Sequence, residues 1–362
     1  MRNLYLSNKP VSYRMDFYRE LAQELNCEIC FQEMTMEAEF PVRRWTLHSL
    51  PSLLTAYRPS LVFVPEFSAA AILCLRLRKK YGYKVISTCD DSLDMIHGND
   101  FGWKHRLARN FVPRRLDEII LHSPDVAGWY RDRFGKGLFM PIIADERRVR
   151  PELARVLPLS AQLRAGDKPV VAFVGRFVGL KNIPSLIRAF EPLKHRAQLV
   201  LIGDGLHRTA LEAMAPEALF PGMLAGDDLL AWYNLIDIVV LPSTQEAYGA
   251  VTGEALMAGA KVVVSEKAGS ADLVREGENG YRVPPMDLPA LTDRIGRLLD
   301  EVPSGRPLTL RENRLPYRFE TCIRELIDKL NIKGVQELQK FRSSEVQEFR
   351  YYHSQQALGS KP

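Results

Sequence analysis

The feature that most constrains this chain is an alternation running almost its whole length. Short apolar segments dense in β-branched residues are separated by stretches of helical period. In the first half the segments NLYLS (3–7), EICFQE (28–33), LVFVP (61–65), KVISTC (84–89) and EIILHS (118–123) read as strands. Between them lie helix-period stretches such as DFYRELAQEL (16–25) and AAAILCLRLRKKYG (69–82). In the second half VVAFVG (170–175), QLVLIG (198–203), IVVLPS (238–243) and KVVVS (261–265) alternate with helices in the same way. Strands apolar on both faces, spaced by amphipathic helices, build parallel sheets covered on both sides. The expected fold class is therefore α/β, with two Rossmann-like doubly wound units. A length of 362 residues agrees with two domains. The charged, proline-bearing stretch 144–168 lacks a strand pattern and is where the linker is expected, giving domains 1–150 and 151–311. Two such units in tandem put the chemistry in the cleft between them, at the carboxyl ends of the strands.

Charge narrows the class of partner. Residues 1–167 carry 25 Lys/Arg against 20 Asp/Glu, and residues 168–362 carry 24 against 24. The excess sits in RLRKK (76–80), KHRLAR (104–109) and PRR (113–115). A basic half beside a neutral one suggests an anionic partner, either a lipid surface or a polyanionic substrate, and an ordinary solvated surface explains it equally well. No patch is dense enough, or interleaved enough with aromatics, to expect nucleic acid. No apolar run approaches the roughly 18 residues that cross a bilayer, and the first residues turn polar by Ser7, so the cytoplasm is expected. Five cysteines are too few for a disulfide scaffold. Cys27 and Cys30 form one C-x-x-C on a strand-like stretch, where i and i+3 face opposite sides, and no second pair completes a zinc site.

Three segments carry the chemistry. The strand 170–175 ends in Gly175-Arg176, with Lys181 five residues further on. An arginine fork and a lysine point charge on one loop suit a diphosphate, as well as simple solvation. Gly203-Asp204-Gly205 is a second tight strand-to-helix turn. The segment 241–265 has Glu246 in a loop, Gly249 at a turn, and a helix starting near Val251 with Glu254 in its first turns. The free amides of Gly249, Ala250 and Val251 at such a start suit phosphate oxygens. A carboxylate at that place is also favoured by the helix dipole alone, by roughly 0.3–1 kcal/mol.

These segments resemble the glycosyltransferases of family 4 (group 1) of the GT-B fold. Glu246 and Glu254 match the E-x7-E motif, with EAYG where members usually read E-G-F-G. Gly175-Arg176 with Lys181 is similar to the G-R-x4-K clamp, and the likeness continues through GDGLHRTALEAM (203–214) to NGYRVPP (279–285). It covers about 168–300. Asp272 stands where members often carry glutamate after G-G-x-x, and it is one methylene shorter.

The resemblance implies a retaining enzyme that needs no metal, with a nucleoside diphosphate sugar as co-substrate. Arg176 and Lys181 would neutralise the diphosphate, Glu254 would bind ribose hydroxyls, and Glu246 would meet the transferred sugar. The first domain would bind the acceptor, a saccharide or lipid-linked saccharide in polysaccharide or glycolipid biosynthesis, with weak contact to an anionic membrane. The C-terminal helices (312–362) would pack back on that domain. SNKPVSYRMDFYREL (7–21) looks like the subset with a Y-R-x-x-F stretch opening the first helix. Asp90 falls where many members place an active-site histidine; it or Asp91 would orient the sugar or accept a proton, and either suits the N-cap of the next helix as well. His97 is a weaker candidate. Two other readings are a non-catalytic GT-B partner subunit and a GT-B sugar-nucleotide epimerase.

Overall fold

The computed structural model describes residues 2–35, 40–97, 103–146, 168–246, 248–302 and 311–330. The expected linker lies mostly at 147–167, outside the described residues, as does everything after 330.

Two parallel sheets form. The first contains β1 (Asn3–Ser7), β2 (Cys27–Phe31), β3 (Val42–Arg44), β4 (Leu61–Pro65), β5 (Lys84–Cys89), β6 (Glu118–Leu121) and β7 (Leu138–Phe139), in the order β3-β2-β1-β4-β5-β6-β7. The second contains β8 (Val170–Val174), β9 (Gln198–Ile202), β10 (Leu219–Gly222), β11 (Ile238–Leu241), β12 (Lys261–Ser265) and β13 (Gly280–Val283), in the order β10-β9-β8-β11-β12-β13. The strand order reverses between β1 and β4 in one sheet and between β8 and β11 in the other. At such switch points the outgoing loops diverge and leave a crevice. The loops after β8 and β11 are the ones that carry Arg176, Lys181, Glu246 and Glu254.

The central strands are buried along their whole length, as their β-branched runs require; β4, β8 and β11 have no exposed residue. Cys27 and Cys30 pack into the clusters on opposite faces of the first sheet. Both are free thiols. Burial pushes the Cys30 thiol up to about 12.

Four strands escape the sequence pattern because they are short or at an edge. β3 and β7 are three and two residues long. β10 contains Pro221 and is only half-buried, as the outermost strand of its sheet tolerates. β13 begins at Gly280, where a Cβ would collide with the Val262 carbonyl oxygen. Glycine is needed there for the strands to approach.

Several contacts join the two sheets. Ile142 and Ile143, just past β7, lie against Gly253 of the helix Val251–Met257. Within the first domain the amide of Asp145 donates to Asp16 at 2.9 Å, and the amide of Phe319 ties the C-terminal helix to Glu146 at 3.2 Å. The helix Phe319–Lys329 lies beside β7, with the Tyr317 ring edge-on to Phe139 at 5.3 Å. Among the described residues no helix is long and apolar enough to cross a membrane.

The runs RLRKK and PRR sit at the amino ends of β5 and β6, the end of the first sheet away from the cleft, because they close the helix Ala69–Tyr81 or immediately precede β6, whereas Arg109 of KHRLAR reaches Asp91 past the carboxyl end of β5. Part of their charge is spent internally. Arg78 pairs with Asp117 at 3.2 Å and donates to the Arg115 carbonyl.

Candidate active site

On the second sheet, the turns after β8 and β9 press against each other. A Cβ on Gly203 would land on the carbonyl oxygen of Gly175, and one on Gly205 would stand 2.6 Å from that of Phe177. The close approach leaves Arg176 exposed on the rim, with no ion pair among the described residues. Lys181 ends a short 3-10 turn, Gly179–Lys181, and forms an ion pair with Glu246 across the crevice. The two cations therefore do not converge here: Lys181 points at the glutamate while Arg176 stands apart.

Gly249 has φ +88°, and a Cβ there would stand 2.6 Å from Leu241 and 3.0 Å from the Ser270 hydroxyl. Only glycine fits the left-handed turn and the space. The helix Val251–Met257 follows at once, so the amides of Ala250 and Val251 open toward the crevice end of the sheet. Glu254 accepts a 2.8 Å hydrogen bond from the Tyr233 hydroxyl; burial raises its carboxyl and that bond partly offsets the rise.

On the first sheet, the two neighbouring aspartates after β5 are sharply different. Asp91 is enclosed, paired to Arg109 at 2.7 Å with both side chains 6% exposed, and accepts from Tyr130 at 2.5 Å. Asp90 has a side chain 40% exposed and lines the cleft. It pairs with Arg14, which precedes the first helix, and lies 3.2 Å from His122 just beyond β6. Burial alone would raise the Asp90 carboxyl, but Arg14 and His122 outweigh it and hold it well below the usual carboxylate range. Neither aspartate caps the next helix; the Ser92 hydroxyl does, accepting from the Met95 amide at 3.2 Å. His97 is exposed at the far end of that helix.

Tyr248 joins the halves. Its hydroxyl accepts from the Ile142 amide at 3.1 Å, and its ring meets His122 edge-on at 6.5 Å. A cavity of ≈ 560 Å³ lies between the domains, bounded by Asp90, His122, Asp125, Tyr248, Lys267 and Asp272. Burial raises the Asp272 carboxyl there. Arg14 and Tyr248 lie in the Y-R-x-x-F and EAYG stretches but were given no role from sequence, and His122 stood out only as part of the strand run EIILHS. His122 had a visible signal: it ends an apolar strand run at a carboxyl edge, as Asp90 does.

This arrangement has relatives. Residues 168–301 match the family described as "Glycosyl transferases group 1". That stretch is similar to a group 1 glycosyltransferase domain. A GDP-mannose-dependent alpha-(1-6)-phosphatidylinositol monomannoside mannosyltransferase of Mycobacterium tuberculosis is 26% identical over 259 residues, 64% of this chain and 66% of that one. A GDP-mannose-dependent alpha-mannosyltransferase of Corynebacterium glutamicum is 32% identical over 185 residues, 50% and 42%. This chain thus spans between about a third and two thirds of the length of the curated relatives it matches. Among solved structures, HepE from Anabaena in complex with UDP superimposes with a TM-score of 0.73 at 18% identity, covering 91% of this chain and all of that one. The fold is GT-B, two parallel-sheet α/β domains around a cleft.

Proposed function

We propose that the chain is a retaining, metal-independent glycosyltransferase that moves a sugar from a nucleoside diphosphate to a saccharide or lipid-linked saccharide. It works in the cytoplasm, in polysaccharide or glycolipid biosynthesis, with residues 151–311 holding the donor and residues 1–150 the acceptor. The observation that carries the reading is the cavity between the domains, whose wall joins Asp90 and His122 of the first domain to Tyr248, Lys267 and Asp272 of the second.

In this reading Arg176 and Lys181 stabilise the diphosphate as its charge develops, the role a metal fills elsewhere. Lys181 pairs with Glu246, so donor binding exchanges that pair for a lysine–phosphate and a glutamate–sugar contact. Glu254, already oriented by Tyr233, takes the ribose hydroxyls, and the amides of Gly249, Ala250 and Val251 take phosphate oxygens. The bond from the anomeric carbon to the diphosphate breaks, and the acceptor oxygen bonds to that carbon. The acceptor proton passes to the departing phosphate oxygen, so no strong base is needed, and Asp90 orients a sugar hydroxyl.

The names of the mannosyltransferase relatives make GDP-mannose the first donor to try. The test is thermal unfolding against a panel of nucleoside diphosphates and their hexoses. A ligand at 100 times its Kd adds about 2.7 kcal/mol to the folded state. A clear rise with one diphosphate and its sugar, lost in Glu254→Ala and in Arg176→Ala, is expected. No rise with any member, from folded protein, refutes the reading.

A further inference from the structure

We infer that Arg14 and His122 are positioning residues for Asp90, together turning its carboxylate into the interdomain cavity to receive a sugar hydroxyl. The inference rests on the glycosyltransferase reading above and gives a role to two residues, Arg14 of the Y-R-x-x-F stretch and His122, for which the resemblance implies none.

The His122 ring is oriented from behind. Its Nδ1 lies 2.7 Å from the Met140 carbonyl oxygen, which only accepts, so Nδ1 carries a proton. Nε2 faces the pair, 2.9 Å from Arg14 Nη2 and 3.2 Å from Asp90 Oδ1. The same Arg14 nitrogen serves Asp90. One guanidinium end is thus shared between a ring and a carboxylate, and its angle decides where the carboxylate points. The Arg14 side chain is only 11% exposed, and its buried Nε meets no acceptor. The guanidinium spends its strongest contacts on the cleft side.

A pair kept only for stability would enclose both partners, as Arg109 and Asp91 do one residue away. Here the arginine is enclosed and the carboxylate stays open to the cavity, which Asp90 and His122 both line. Tyr248, from the loop that carries Glu246, sets its ring edge-on to His122 at 6.5 Å. The orientation of Asp90 is thereby tied to the seating of the donor loop.

The test uses the full chain with His122→Asn, Arg14→Lys, Asp90→Asn and the His122→Asn/Asp90→Asn pair. Turnover is followed as diphosphate released from GDP-mannose or UDP-glucose, with donor KM and the melting temperature measured in parallel. His122→Asn and Arg14→Lys should each lower kcat roughly 10- to 100-fold, as a small misplacement of a working group does, with donor KM nearly unchanged. The double variant should be no slower than Asp90→Asn alone, because both changes remove one function. An unchanged kcat in folded His122→Asn, or losses that multiply in the double variant, overturns the inference. Should Arg14→Lys fail to fold, His122→Asn carries the test alone. Full activity in Asp90→Asn, or no turnover of either sugar nucleotide by the unaltered chain, instead overturns the reading beneath it.

Discussion

Asp90 and Asp91 show how far a single residue type is from a single role. Both follow the same strand, and the sequence offers no way to separate them, because the difference arises from Arg14, Arg109, His122 and Tyr130, 18 to 76 positions away along the chain. By contrast Glu246, Gly249 and Glu254 were legible as a site because their spacing within one turn and one helix is local. A pH prediction belongs at this scale. The folded-state carboxyl of Asp90 is depressed below its unfolded value of about 3.9, so the unfolded chain binds more protons there as the medium acidifies. Its stabilising contribution is present above about pH 4 and is lost as pH falls toward the folded value. Melting temperatures of Asp90→Asn should therefore vary less between about pH 5 and pH 3 than those of the unaltered protein. Parallel curves would show that the pair contributes nothing to stability. For Glu246→Ala, turnover should fall more than donor affinity does, and calorimetry beside a rate assay separates the two; unchanged turnover removes its role.

At the scale of elements, the strands whose bounds are legible are the central ones. β1, β4 and β5 coincide with apolar runs in the sequence, since a strand covered on both faces must be apolar throughout. Edge strands carry no such demand, which is why VRR and LFPG passed unread. The turns that join elements are equally constrained where two of them touch. Gly203→Ala should cost stability heavily, on the order of 3 kcal/mol or more, because the added carbon meets backbone rather than a movable side chain. Gly249→Ala meets mainly the Leu241 and Ser270 side chains, which can shift, and should cost about 1–2 kcal/mol for its left-handed backbone. Urea unfolding orders the two, and the reverse order would contradict the loop packing described above. The loop's own tyrosine adds a third case. Tyr248→Phe keeps the ring against His122 but leaves the Ile142 amide without its acceptor, a loss of about 1–3 kcal/mol. That loss should appear in a chain whose donor affinity is intact.

Over the whole molecule the charge is polarised in a way the composition alone misreads. The surplus in the first half suggested an anionic partner, a lipid surface or a polyanionic substrate, or plain solvation, and the cavity wall includes Asp90, Asp125, Glu266, Asp272 and Glu276 against Lys267 and Arg282. The exposed cations Lys79, Lys80, Arg114 and Arg115 instead gather at the amino ends of β5 and β6. There the helix Trp103–Phe111 also exposes Leu107 and Phe111, one turn apart. A basic end with two apolar side chains suits an anionic lipid surface better than it suits a substrate in the cleft. Each cation near such a surface contributes about 1 kcal/mol, so four contribute about 4 kcal/mol at low salt. Screening shortens that reach to about 8 Å at physiological ionic strength. The chain should therefore sediment with phosphatidylserine vesicles at low salt and release as salt rises, while neutral phosphatidylcholine vesicles leave it in solution. Reversing Lys79, Lys80, Arg114 and Arg115 to glutamate should abolish sedimentation and leave the response to nucleoside diphosphates unchanged, because those residues lie at the opposite end of the sheet from the cleft. Sedimentation that survives the reversal would place the lipid contact elsewhere, and a lost nucleotide response would mean that the two ends of the domain are coupled.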